Sequence, residues 1–147
     1  MDEQALAERV ARHLLDHDAF SQWLGVEIID IKPGQATLRM TVRKDMLNGF
    51  QVGHGGITFS LADSALAFAS NTHGRLALAL ENSIFYPAPV YEGDVLTAVA
   101  HEVSAANRVA VYQVTVTKAD GTKVGVFRGS VYRTKKSHFT DEDVTEG

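Results

Sequence analysis

The sequence predicts an α+β fold in which a curved antiparallel sheet wraps one long buried helix, with an additional helix at the N-terminus. Two observations carry this expectation. Residues 55–71 place apolar side chains on nearly every side of a helix, and a helix apolar all round is covered all round. Six Val- and Thr-rich stretches with short connections supply strands to cover it. Other helix-on-sheet α+β arrangements satisfy the same pattern.

The elements follow in order. Residues 5–23 read as one amphipathic helix, with Leu6, Val10, Leu14 and Leu15 at helical spacing, and Gly25 can end it. Residues 26–31 and 35–42 read as strands, joined by Lys32-Pro33-Gly34-Gln35 as a type II turn. Residues 43–53 read as an irregular loop. The main helix takes residues 55–71. Strands follow at 76–86, 95–103, 108–117 and 123–133, with Asp120-Gly121 as a tight hairpin turn. Successive strands with short connections imply a meander. Residues 1–134 are expected to form one domain, opening with a helical segment over 1–23. The charged stretch 135–147 is expected to be a disordered tail.

Composition narrows the chemistry. The 147 residues are 45% hydrophobic and 22% charged, ordinary for a water-soluble globule. The net charge of -4 supplies no general field for nucleic acid. Without cysteine there is no disulfide, thiolate metal site or cysteine nucleophile. The opening Met1-Asp2-Glu3-Gln4 has neither the basic nor the apolar region of a signal peptide. No apolar run approaches the roughly 20 residues of a membrane span. These features lead us to expect a cytoplasmic protein with no membrane or nucleic-acid partner.

The chemistry concentrates between Asn48 and Asn71. His54-Gly55-Gly56 stands at the start of the main helix, where backbone N–H groups are free and the dipole is positive. Such groups hold the oxyanion formed when an acyl carbonyl is attacked. Gly55 is the expected donor and Gly56 the second choice, because glycine lets a substrate approach the backbone closely. His54 can donate to the carbonyl or fix the loop. Asp63 is a poor helix-interior residue set among Leu61, Ala62, Ala65 and Leu66. It is either a structural acid with a hydrogen-bonded partner or an activated base or nucleophile.

These residues resemble the phenylacetate-pathway thioesterases, a branch of the hotdog-fold acyl-CoA thioesterase superfamily. The matching pieces are Leu47-Asn48-Gly49, His54-Gly55-Gly56, Ser60-Leu61-Ala62-Asp63-Ser64-Ala65, Phe68-Ala69 and Ser70-Asn71. Ser83-Ile84, Pro87-Ala88-Pro89 before Gly93-Asp94, and Phe127-Arg128-Gly129 continue the likeness, which spans residues 24–133. Ile84-Phe85-Tyr86-Pro87 departs from the Asp-Phe-Leu-Arg type of sequence more frequent in relatives. The resemblance implies a hotdog fold and hydrolysis of aryl or phenylacetyl-type CoA thioesters. It implies no metal or redox cofactor, coenzyme A being part of the substrate. It also implies a homodimer, further paired into a homotetramer as a dimer of dimers. It places Asn48 at the catalytic site and Ser83 near the attacking water.

Phe50, Phe59 and Tyr86 are candidates to line an acyl pocket, or else plain core aromatics. Arg75, Arg108, Arg128 and Arg133 are candidates for the coenzyme phosphates, or solvated surface. His13 and His17 share a helix face at metal-compatible spacing, without a third ligand beyond adjacent Asp16. No Gly-x-Ser-x-Gly elbow is present, and His101-Glu102 lacks the second histidine of a zinc protease. Two rival functions are a hotdog dehydratase and a non-catalytic acyl-CoA-binding regulator.

Spacing adds one inference. Gly55 and Asp63 lie eight residues apart, about 12 Å along one helix at ~1.5 Å per residue. A reacting carbon must lie about 3 Å from both an oxyanion donor and the attacking oxygen. One chain can hardly supply both, so a two-fold dimer with shared sites is expected.

Overall fold

The computed structural model describes residues 1–139. Two helices come first, α1 (Glu3–His17) and α2 (Ala19–Leu24), where the apolar spacing pointed to one. The break falls at Asp18, whose carboxylate caps α2 by accepting from the Ser21 N–H at 2.9 Å. Aspartate competes for free backbone N–H groups, so it favours a helix start over a helix interior. Gly25 closes α2 at φ 79°, a left-handed conformation that suits glycine.

Strands β1 (Glu27–Lys32) and β2 (Gln35–Thr41) form a hairpin through Pro33-Gly34, with Gly34 at φ 77° as a type II turn requires. The loop after β2 holds a single 3-10 turn (Lys44–Met46) and a bridge between Leu47 and Gly53. Helix α3 (Gly55–Asn71) then runs its full expected length. Strands β3 (Arg75–Phe85), β4 (Val95–Ala105), β5 (Val109–Lys118) and β6 (Lys123–Ser137) complete the chain.

All neighbouring strands are antiparallel, in the order β1-β2-β4-β5-β6-β3. This corrects the simple meander. Strand β3 lies beside β6 at the far edge, because α3 carries the chain across the sheet before β3 begins. The return to β4 crosses one end of the sheet, where Gly53 donates to the Val90 carbonyl at 2.7 Å and Val42 to that of Asp94 at 2.9 Å.

Helix α3 packs against β2 through β6, and α1 and α2 pack against α3 in turn. Leu61, Leu66 and Phe68 from α3 meet Leu38, Met40, Leu96, Val114 and Phe127 from the sheet, all essentially inaccessible. Each such side chain stabilises the fold by roughly 1.5–3 kcal/mol. Glycine permits the close packing: a Cβ on Gly125 would lie 3.0 Å from Thr58 Cγ2, and one on Gly129 would lie 2.7 Å from Leu66 Cδ2. The curved sheet around a central helix is the hotdog architecture.

Strand β6 extends to Ser137, so the expected tail is structured over residues 135–139. Arg75 donates to the carbonyls of Arg133 and Thr134, and Thr134 Oγ1 donates to that of Leu76. His138 Nε2 meets Asn71 Oδ1 at 2.6 Å. The Phe139 ring lies against His13 and under Arg9. Polar partners hold this end, so its charged composition concealed its order. Residues 140–147 of the expected tail lie outside the described residues.

Candidate active site

The start of α3 is built by a histidine cap. His54 is extended at φ -60°, ψ 134°, and its Nδ1 accepts from the Gly56 N–H at 3.0 Å. An imidazole accepting at Nδ1 carries its proton on Nε2, leaving that group to donate outward. The same bond occupies the Gly56 N–H, so Gly56 is not a free oxyanion donor. Among the described residues no backbone acceptor takes the Gly55 N–H. Gly55 is therefore the available donor. Its carbonyl accepts from the Tyr86 hydroxyl at 2.8 Å. A Cβ on Gly55 would sit 3.2 Å from the Tyr86 ring, which shows how closely that ring covers the turn.

Asn48 shapes the preceding loop. Its Oδ1 accepts from the N–H groups of Phe50 (2.8 Å) and Val52 (3.4 Å). Gln51, between them, takes φ 63°. Asparagine mimics a backbone turn in this way. The Asn48 oxygen is thus committed to the loop, while its amide nitrogen can still donate.

Helix α3 is covered on most sides but not all. Gly56, Phe59, Ser60, Asp63 and Ala67 form a stripe that is exposed or half-buried, whereas most of their helical neighbours are buried. Asp63 is the charged residue of α3 and stands in the middle of that stripe. Its Oδ1 accepts from Asn82 Nδ2 at 3.0 Å. Burial raises its pKa above the usual 3.8, the Asn82 hydrogen bond lowers it, and the charge of Asp18 raises it. Burial is the largest of the three. The balance gives a stronger base than an ordinary aspartate.

Asn82 was not singled out from the sequence. It lies opposite Gly129 on β6, and a Cβ there would come 2.5 Å from Asn82 Oδ1. The missing side chain of Gly129 makes room for the Asn82 amide. Ser83, which the resemblance puts near the attacking water, alternates with Asn82 along β3 and is exposed. It faces the outer side of the sheet opposite Arg128. Together with Glu81, Val111 and Ser130 they line a shallow cleft there.

The aromatic candidates separate. Phe59 is half-buried and packs edge-on to the core residue Phe127 with ring centroids 5.4 Å apart. Phe50 projects from its loop, 87% exposed. Tyr86 lines a cleft with Gly55, Thr58 and the loop to Val90. A second, more apolar cleft opens on the other side of the hinge, lined by His54, Ile57, Met46, Leu47, Phe20 and Trp23. Of the arginines, Arg75 and Arg133 are committed to main-chain carbonyls, whereas Arg128 is exposed. The rings of His13 and His17 lie 4.5 Å apart, and His17 Nδ1 bonds the His13 carbonyl.

A free N–H at a helix start and a desolvated carboxylate on the same helix suit attack on an acyl carbonyl. The family model of the thioesterase superfamily matches residues 50–125. The chain belongs to the thioesterase superfamily. This membership bears out the enzyme class expected from the sequence, a hydrolase of thioester bonds. The chain is 38% identical to the acyl-coenzyme A thioesterase PaaI of Escherichia coli over 123 residues, 84% of this chain and 88% of that protein. A protein of Archaeoglobus fulgidus named as a candidate esterase is 43% identical over 128 residues, 87% of this chain and 83% of its own. The structure of the E. coli PaaI protein, from the phenylacetic acid degradation operon, superposes with a TM-score of 0.90 at 35% identity. That match covers 92% of this chain and 99% of the other. A Streptococcus mutans protein solved bound to acetyl-CoA superposes with a TM-score of 0.74 at 26% identity, covering 76% and 90%. These likenesses bear out both the resemblance to the phenylacetate-pathway thioesterases and the hotdog fold. Among the described residues no helix is long and apolar enough to cross a membrane.

Proposed function

We propose that this thioesterase hydrolyses acyl-CoA, with aryl or phenylacetyl-type acyl groups, to the free acid and CoA. The observation that carries the reading is Asp63, a half-buried carboxylate with a raised pKa on the least covered stripe of α3. Its Oδ1 is held by Asn82, which leaves Oδ2 to take a proton from water. The resulting hydroxide attacks the thioester carbon. The Gly55 N–H receives the oxyanion, with His54 Nε2–H as a second donor. Collapse breaks the C–S bond, and the coenzyme leaves as its thiolate, taking up the proton. Direct attack by Asp63 through a mixed anhydride is the variant route.

The cleft beside Tyr86 and the apolar cleft beside Phe20 and Trp23 offer aromatic walls for an aryl group. Arg128 and Arg108 are the cations we assign to the coenzyme phosphates. Helix α3 is unbroken from Gly55 to Asn71, which supports a site shared between two copies of the chain. One copy supplies Gly55 and the other Asp63.

The test uses phenylacetyl-CoA with a thiol reagent that reports released CoA. Asp63→Asn should lower turnover by about 10²–10⁴-fold, the usual contribution of a general base. The variant should also be at least as resistant to heat at neutral pH. The sign follows from the raised pKa: the folded state binds the Asp63 proton more tightly than the unfolded state. Stability from this group is therefore present at low pH and lost as pH rises through the folded pKa. An amide removes that penalty at neutral pH, and the gain should shrink towards the ordinary aspartate range. Wild-type turnover in Asp63→Asn would remove Asp63 from the mechanism. Binding without turnover across an acyl-CoA panel would favour an acyl-CoA-binding regulator instead.

A further inference from the structure

Helix α2 turns its sides to different surroundings. Ser21 and Leu24 are buried, and Ser21 Oγ lies 2.7 Å from Ser64 Oγ on α3, so the helix is fixed to the body of the fold. Phe20 and Trp23, on its uncovered side, are 53% and 46% exposed, with ring centroids 5.9 Å apart. Two large aromatics left in water on an anchored helix call for an occupant. They wall the apolar cleft beside the α3 hinge, together with Met46, Leu47 and Ile57. The cleft volume of about 380 Å³ is that of a small-molecule site. The Arg43 guanidinium lies over the Trp23 ring, 5.0 Å from its centroid, and Arg43 Nε donates to Asp45 Oδ1 at 3.1 Å. The indole is braced by this contact, and Asp45, the acid on the cleft wall, is paired.

We propose that Trp23 is a specificity-determining residue: its ring, with that of Phe20, walls the seat of the aryl acyl group. The inference rests on the reading of the chain as an aryl-type acyl-CoA thioesterase. A thioester held at the hinge has two unlike arms. The acyl arm is a ring or hydrocarbon that needs no hydrogen bond. The coenzyme arm carries amides and phosphates. An amide pressed against the Phe20, Trp23 and Ile57 side chains would lose its water partners without replacement. The apolar cleft therefore suits the acyl arm. The carbonyl between the arms belongs at the Gly55 N–H, and the flanking residues His54 and Gly56 line this same cleft. An acyl group leaving that carbonyl enters the cleft directly. A planar aryl group gains ring-on-ring contact with the indole beyond the area it buries, and an alkyl chain of similar size does not. Preference for aryl over alkyl esters follows from that contact.

Trp23 is the single tryptophan of the chain, so its fluorescence reports this cleft in the wild-type protein. The probe is the phenethyl thioether of CoA, which cannot be hydrolysed, beside free CoA. The thioether should change Trp23 emission saturably and shield the indole from acrylamide quenching, and free CoA should do neither. In turnover, Trp23→Leu should lower kcat/KM for phenylacetyl-CoA relative to hexanoyl-CoA by about three- to tenfold, while Trp23→Phe stays within about twofold of wild type. Trp23 emission and quenching that ignore the thioether overturn the proposal, as does an unchanged substrate ratio in a folded Trp23→Leu. Emission that follows dilution of the protein and not the ligand would assign the aromatic pair to a second copy of the chain, and overturns it as well. A protein that shields Trp23 with the aryl thioether yet turns over no acyl-CoA would uphold the acyl seat and sink the catalytic reading instead.

Discussion

Asn82 reaches Asp63 because of one extra residue in β3. On the first half of the strand Ala77 and Ala79 pair with Arg133 and Val131. Plain alternation from Ala77 and Ala79 would turn Ser83 inward. The register shifts between Ala79 and Glu81, after which Asn82 and Ile84 pair with Gly129 and Phe127. A bulge swaps the faces of everything beyond it. Asp63 was legible in the sequence because a carboxylate in an apolar helix demands a reason. Its partner was hidden, since nothing in the residues 75–85 marks where a bulge falls. The Asn82 hydrogen bond lowers the Asp63 pKa, so its loss should raise that pKa further. In Asn82→Ala the acid limb of kcat should move to higher pH, and turnover on that limb should fall by about three- to tenfold. The pH profile of Asn82→Ala beside wild type checks this. An unmoved limb would mean that Asn82 only fills space.

At the scale of elements, α3 was legible end to end, because an apolar run covering all sides has one physical solution. The position of β3 was not, since strand order depends on where a buried helix delivers the chain. The break at Asp18 was masked by apolar spacing that continues through a capping residue. The same local reading gives a specific test at the start of α3. Gly55 is the first helical residue, where proline is well tolerated and its missing N–H breaks no helix bond. His54 at ψ 134° already has the extended conformation that a following proline requires. Gly55→Pro should therefore preserve the helix while removing the proposed oxyanion donor. Turnover should fall by about 10²–10³-fold with a native circular-dichroism spectrum. The proline Cβ meets Tyr86 at 3.2 Å, so the ring must yield by a few tenths of an ångström. Tyr86→Phe alone controls for that movement. If Gly55→Pro folds and turns over normally, another group holds the oxyanion.

The whole molecule presents two sheet edges of opposite character. Strand β1 carries Glu27, Asp30 and Lys32, charges that discourage another strand from pairing. Strand β3 is eleven residues long and exposes Leu78 at 56%, Leu80 at 59% and Phe85 at 66%. Glu81 is the exposed charge on that edge, and an edge of that length with three exposed apolar side chains is where the proposed second copy would pair. Asn82 lies on the same strand, so pairing along β3 would bring a partner close to Asp63. This gives the proposed shared site a physical route, and a mixing experiment tests it. Asp63→Asn chains keep Gly55, and Gly55→Pro chains keep Asp63. Each homodimer lacks a necessary group at both sites. A mixed dimer has one site missing both groups and one site missing neither. Random exchange of equal amounts makes half the dimers mixed, each with one working site of two, so activity should recover to about a quarter of wild type. Mass spectrometry of differently tagged chains would establish the exchange. Recovery near a quarter requires two chains at each site. If exchange is complete and activity stays at the level of the separate variants, both groups serve one site within one chain. The distance along α3 would then have to be closed by a rearrangement of the helix itself.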